Sequence, residues 1–260
     1  MQQSRSFWLG SSWKMNGSKD MAEHYSAMLS RADWTAFPNI APFVIPPFPY
    51  VERMANLLRA SPVRVGVQNL HWAEEGAFTG EISARMAADI GASLAEIGHS
   101  ERRAMFGETD ETVRNKTRAA LDAHLTPLIC IGDTRQENDA GAAAATIIRQ
   151  AKIALAGLAP EQVALCVLAY EPVWSIGVNG IPAEPTEVSA TLKALREALV
   201  ADHGEIGQTI PLLYGGSVSS DNVKELSVAP NIDGLFVGRA GWTADGLLSL
   251  VGAVAQARQR

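Results

Sequence analysis

Leu168-Ala-Tyr-Glu-Pro-Val-Trp-Ser-Ile-Gly177 carries an apolar run up to one carboxylate, Glu171, and then turns at once into a Pro/Trp/Gly loop. The eight residues before that carboxylate, Val163-Ala-Leu-Cys-Val-Leu-Ala-Tyr170, hold no charge, as expected of a strand covered on both faces. A glutamate at the carboxyl end of such a strand, at the lip of a loop able to close over it, is placed for proton chemistry in a partly desolvated site. A strand-end acid in a rim salt bridge reads the same way locally. The remainder of the chain has to decide between the two.

Working outward, apolar strand-length runs alternate with segments of helical period. The strands are expected at 7–13, 41–45, 63–67, 93–97, 126–131, 163–170, 210–214 and 232–237. The helices between them are expected at 18–31, near 51–58, at 83–90, about 110–123, a segment ending near Leu155, 185–203, a short one before strand eight, and 243–257. Eight β-α units in 260 residues favour closure into a (β/α)8 barrel, a single domain over 1–260, rather than an open doubly wound sheet. No Gly-x-Gly-x-x-Gly follows the first strand, which weakens a dinucleotide-binding reading.

Composition removes other classes. A formal charge of −6 argues against a nucleic-acid surface, so an anionic substrate must be drawn in by local groups. The longest apolar runs fall well short of the ~18 residues a membrane span needs, and the start, Met1-Gln-Gln-Ser-Arg-Ser6, lacks the apolar core of a secretory signal. A cytoplasmic location with no membrane partner is the expectation. Cys130 and Cys166 sit in apolar runs and read as buried free thiols.

In a parallel barrel, chemistry sits at the carboxyl ends of the strands. After strand one, Lys14 lies between Trp13 and Met15 and offers the charge that a phosphate or oxyanion needs, although a solvated loop lysine is commoner in general. Strand three is followed by Gln68-Asn69 and the aromatic loop from His71 to Gly80, whose length suggests a protein contact. After strand four, His99 stands at an apparent helix N-terminus, where a neutral imidazole is favoured; a plain N-capping histidine is the alternative. Strands seven and eight end in Tyr214-Gly-Gly-Ser-Val218 and Gly238-Arg239, and glycines there let backbone N–H groups approach an anion.

With these residues assembled, the chain resembles the triosephosphate isomerase family. The resemblance rests on Trp13-Lys-Met-Asn-Gly17, Gly76-Ala-Phe-Thr-Gly-Glu-Ile-Ser83, Ile97-Gly-His-Ser-Glu-Arg-Arg103, Ala169-Tyr-Glu-Pro-Val-Trp174 and Tyr214-Gly-Gly-Ser-Val218, five segments in the family's order. That enzyme is itself the standing example of a glutamate base paired with a neutral histidine under a closing loop, so these roles come with the resemblance. It implies Glu171 as base, His99 as proton shuttle and Lys14 as stabiliser of negative charge. It further implies a lid from Pro172 to Gly180, and phosphate binding by the backbone N–H groups of Gly177, Ser217 and Gly238. Glu101 would orient Lys14, and Thr79 would reach the partner's site in a homodimer built through the 71–80 loop. No metal or cofactor is implied, since moving a proton α to a carbonyl needs only base, acid and oxyanion stabilisation.

Several positions depart from the family's usual pattern. Ser12 replaces an asparagine on the substrate side and removes volume. The lid reads Trp174-Ser-Ile-Gly-Val-Asn-Gly-Ile-Pro182 instead of Trp-Ala-Ile-Gly-Thr-Gly-Lys-Thr-Ala, Arg239 follows Gly238 where a second glycine is usual, and His71-Trp72 opens the dimer loop differently. These changes resemble the branch of the family acting on four-carbon erythrulose phosphates in tetritol catabolism. A three-carbon isomerase is the alternative, and a barrel that binds a sugar phosphate without catalysis is a remote one.

Overall fold

The computed structural model describes residues 6–177 and 179–259. Val178, which falls in the expected lid, and residues 1–5, where the start of the chain was read for a signal, lie outside the described residues. Eight parallel strands close into a barrel in sequence order: β1 (Phe7–Ser12), β2 (Ile40–Ile45), β3 (Arg64–Val67), β4 (Leu94–Ile97), β5 (Thr126–Ile131), β6 (Val167–Tyr170), β7 (Leu212–Tyr214) and β8 (Gly234–Val237). β8 returns to β1 with Trp8 opposite Gly234 and Ser11 opposite Val237, so the sheet has no edge. The expected (β/α)8 closure is therefore what forms.

The alternation of side chains sorts each strand between two cores. Phe43, Ile45, Leu94, Leu128, Cys130, Val167, Ala169, Leu213 and Phe236 fill the barrel interior, while Val44, Ala95, Ile97, Ile129, Ile131, Leu168 and Tyr170 face the helical layer. Full burial of a side chain such as Phe43 contributes about 1.5–3 kcal/mol, so this two-sided core drives the closure. The same two-residue period carries the interior face onward to Ser12 at the end of β1, Glu96 in β4 and Glu171 just past β6. Both cysteines are buried and free.

Helices begin where the chain offers a cap. Ser18, Ser83, Thr109 and Thr243 accept backbone N–H groups at the starts of Lys19–Arg31, Ala84–Asp89, Asp110–Asp122 and Ala244–Arg258. Pro185 occupies the first position of Pro185–His203, where its missing N–H costs nothing. One expected strand is shorter than its apolar run: Pro160–Val163 forms a helical turn, Cys166 N–H donates back to Val163 O at 3.1 Å, and Leu165 is exposed, so pairing starts only at Val167. Proline at the helical N1 position outweighs the absence of charge there. β7 and β8 also start two residues later than their apolar runs, after Pro211 and Asp233.

Candidate active site

The end of β6 delivers Glu171. Its backbone N–H still donates to Ile131 O of β5 at 2.8 Å, and Pro172 then breaks the ladder and starts the loop. The carboxyl is buried, and Oε2 has no hydrogen-bond partner among the described residues. Gly215, just past β7, makes this position possible: a methyl group there would lie 2.6 Å from Glu171 Cγ and 2.8 Å from Oε1. The first glycine of the Gly-Gly-Ser sequence thus makes room for the carboxylate as well as framing the mouth.

His99 caps the helix Ser100–Phe106, and its Nδ1 accepts the Glu101 backbone N–H at 3.2 Å. A ring nitrogen that accepts an N–H carries no proton itself, which assigns the proton of the neutral ring to Nε2. Nε2 faces Glu171 Oε2 at 3.8 Å. The capping role and the proton-transfer role set against it in the sequence are therefore compatible, since the cap sets the tautomer.

Lys14 adopts a left-handed backbone conformation, φ 53°, uncommon for a residue with a side chain. Gln68 holds it there by donating to Lys14 O at 2.9 Å and to Ile45 O at 3.1 Å. The ammonium pairs with Glu101 Oε1 at 2.5 Å. Glu101 thus serves twice: its side chain orients Lys14 and its backbone N–H orients His99.

Glu171, His99 and Lys14 line one cavity of about 540 Å³ at the carboxyl ends of the strands, together with Ser12, Gly177, Ser217, Gly238 and Arg239. A Cβ built on Gly177 or Gly238 meets nothing within 4 Å, so both backbones border open space where an anion could approach. Gly177 also takes φ 89°, which a side chain would strain. Arg239 is exposed and reaches across the mouth, its Nη2 donating to Gly177 O at 3.4 Å. The expected cation thus stands beside the glycines and touches the loop after β6.

The backbone N–H of Ser217, expected to meet phosphate, donates here to Ser175 Oγ at 3.2 Å. The Ser217 hydroxyl donates to Ser175 O at 2.8 Å and contacts Gly180 O at 3.3 Å, while Ser175 Oγ and Tyr214 Oη lie 3.2 Å apart. Near the start of the loop, Trp174 Nε1 donates to Asp133 Oδ2 at 3.2 Å. Hydroxyls at Ser175 and Ser217 thus fasten the loop after β6 to the loop after β7.

Thr79 lies exposed in the 71–80 loop and lines none of these surfaces in its own chain. That loop is braced internally, His71 packing against Trp72 and Phe78 with ring centroids 4.1 and 4.2 Å apart, and it leaves both partner rings exposed. A second cavity of about 430 Å³ shares Ser12, Lys14, His99 and Glu101 with the first and runs out past Met15, Phe48 and Phe106.

One site residue escaped the sequence reading. Glu96 is buried in the barrel and accepts the Ser12 hydroxyl at 2.7 Å. Burial pushes its carboxyl up to about 7, with Glu171 pushing the same way and Ser12 and Lys14 pulling down. The signal was a lone acid in the interior-facing register of an otherwise apolar strand, two residues after Leu94.

A parallel barrel whose mouth gathers a carboxylate, a neutral imidazole, an ammonium and anion-accessible glycines has the parts of a proton-transferring enzyme for phosphorylated substrates. The chain belongs to the triosephosphate isomerase family, whose sequence model matches residues 7–254. Among its relatives is an L-erythrulose-1-phosphate isomerase of Rhizobium rhizogenes, 45% identical over 252 residues, covering 96% of this chain and 95% of that protein. Enzymes of the same name from Rhizobium etli and Rhizobium meliloti are each 46% identical, over 97% and 96% of this chain and 94% and 97% of theirs.

Proposed function

We propose that the chain interconverts L-erythrulose 1-phosphate and D-erythrulose 4-phosphate through an enediol(ate). The observation that carries the reaction type is the facing of His99 Nε2 and Glu171 Oε2 across 3.8 Å beside Lys14. The substrate assignment is supported by the relatives at 45–46% identity over nearly the whole chain. In this reading Glu171 removes the C3 proton of L-erythrulose 1-phosphate and returns it at C2. His99 moves protons between the O2 and O3 oxygens, and Lys14 stabilises the negative charge on them. Glu101 holds Lys14, and Gly177, Ser217, Gly238 and Arg239 receive the phosphate.

The lid from Pro172 to Gly180 would exclude water and hold the enediolate, whose neighbouring phosphate is otherwise open to elimination. Binding phosphate at Ser217 requires its N–H to exchange Ser175 Oγ for a phosphate oxygen, which ties lid position to ligand. The enzyme works as a homodimer in this reading, with Thr79 and the exposed Trp72 and Phe78 entering the second cavity of the partner, beside Lys14 and Glu101. It serves tetritol catabolism in the cytoplasm.

Kinetics with the four-carbon ketose phosphate and with glyceraldehyde 3-phosphate, measured side by side on purified enzyme, test the substrate. A higher kcat/KM for the four-carbon compound is expected; a far higher one for glyceraldehyde 3-phosphate overturns the assignment. Sedimentation velocity tests the dimer, for which a monomer at micromolar concentration is the adverse result.

A further inference from the structure

Proton transfer between adjacent carbons, as assigned above, does not use Glu96. Yet this carboxyl sits inside a barrel otherwise filled by groups such as Phe43, Leu94, Leu128, Cys130 and Phe236. A buried acid in such surroundings is costly, and among the described residues Ser12 supplies its hydrogen bond, Oγ to Oε2 at 2.7 Å.

That bond decides what the pair can offer a ligand. A hydroxyl has one proton to donate, and Ser12 has given its proton to Glu96. With Glu96 ionised, what the pair presents to the cavity are acceptors, the lone pairs of Ser12 Oγ and the second carboxyl oxygen of Glu96. Acceptors suit a hydroxyl donor and disfavour a phosphate or a carboxylate.

The position of the pair is as specific as its chemistry. Gly177, Ser217, Gly238 and Arg239 border the main cavity only, whereas Glu96 borders the second cavity, and Ser12, Lys14 and His99 border both. The anion-accessible glycines and Glu96 therefore lie on opposite sides of the residues the two cavities share, Ser12 among them. A sugar phosphate with its phosphate at the glycines and its reacting carbons at His99 and Glu171 directs the next carbon toward that pair.

We propose that Ser12 and Glu96 form the subsite for the terminal hydroxymethyl group of a four-carbon ketose phosphate, Glu96 accepting the hydrogen bond of its hydroxyl. The proposal rests on the four-carbon reading above and adds the residue that selects for it. A triose phosphate ends at the reacting carbon and leaves the acceptors without their donor, and sites built to bond a hydroxyl discriminate against analogues lacking it.

The test compares kcat/KM for L-erythrulose 1-phosphate, its 4-deoxy analogue with a terminal methyl group, and dihydroxyacetone phosphate, using wild type, Glu96→Gln and Ser12→Ala. Above about pH 7, where Glu96 is ionised, wild type is expected to favour the parent ketose over the 4-deoxy analogue by about 10- to 100-fold, the range of a hydrogen bond to a charged group. Each replacement should shrink that ratio toward one. A wild type that does not distinguish the two, or variants that keep the full ratio, overturn the subsite and leave the four-carbon reading standing. A wild type that strongly prefers dihydroxyacetone phosphate removes that reading and the subsite with it.

Discussion

His99 Nε2 and Glu171 Oε2 stand 3.8 Å apart, beyond hydrogen bonding, so neither group satisfies the other although both are buried. The Glu101 N–H on Nδ1 directs the histidine proton to Nε2, and the Glu171 oxygen it faces is an unpartnered acceptor. A donor and a base both directed at one cavity are what an enediol(ate) mechanism needs. Glu171→Gln keeps the shape and removes the base, and kcat should fall by about 10²- to 10⁴-fold. Solvent deuterium incorporation into substrate reads the same step independently; near-normal turnover and exchange would reassign the base.

Gly215 controls where that base stands. A methyl group in Gly215→Ala would lie 2.8 Å from Glu171 Oε1, and the backbone on which it is built cannot yield as a flexible side chain can. Displacement of the carboxylate by about 1 Å can cost roughly 100-fold in kcat. Steady-state kinetics should show that loss with KM changing far less. A variant with ordinary kcat would mean that the carboxylate has a second productive position.

Much of this was legible in the sequence because barrel topology and strand-end chemistry are both local patterns. The uncharged run before Glu171 and the glycines after β7 and β8 lie next in sequence to what they position. What escaped were relations between distant segments. Charge-free residues 163–166 read as strand, but Pro160 begins a helical turn and Leu165 faces outward. Glu96 meets Ser12 across 84 positions of chain, and no spacing rule links them. The Ser217 N–H was expected to meet an anion, and Ser175, in the loop after β6, takes that bond.

Beneath the site, Lys116 donates to Glu108 Oε1 at 2.5 Å and to Asn69 Oδ1 at 2.6 Å, and Arg102 joins the same carboxylate oxygen. The cluster ties the loop after β3 to the helices Ser100–Phe106 and Asp110–Asp122. Burial pushes the Glu108 carboxyl up, but Lys116 and Arg102 outweigh it and hold it below the ordinary value. Removing one partner of such a pair leaves a buried charge uncompensated, typically at about 3–5 kcal/mol. Lys116→Met should therefore shift the urea midpoint sharply downward, and adding Glu108→Gln should recover part of the loss. A single-variant effect below about 1 kcal/mol would show that water reaches the cluster.

Glu96 also ties stability to pH. Its folded carboxyl lies at about 7 against an ordinary 4.5, chiefly through burial, so the native chain binds this proton more tightly than the unfolded chain does. The stabilisation it brings is fully present below about pH 4.5 and is lost as pH rises through about 7. At 1.36 kcal/mol per unit the loss is on the order of 3 kcal/mol. Glu96→Gln cannot titrate, so the difference in unfolding free energy, wild type minus variant, should decline by that order between about pH 4.5 and pH 8. Urea titrations of both proteins across the window measure it. Parallel curves would mean that the Glu96 carboxyl ionises in the fold as it does in the unfolded chain, with enough water in the barrel to support its charge.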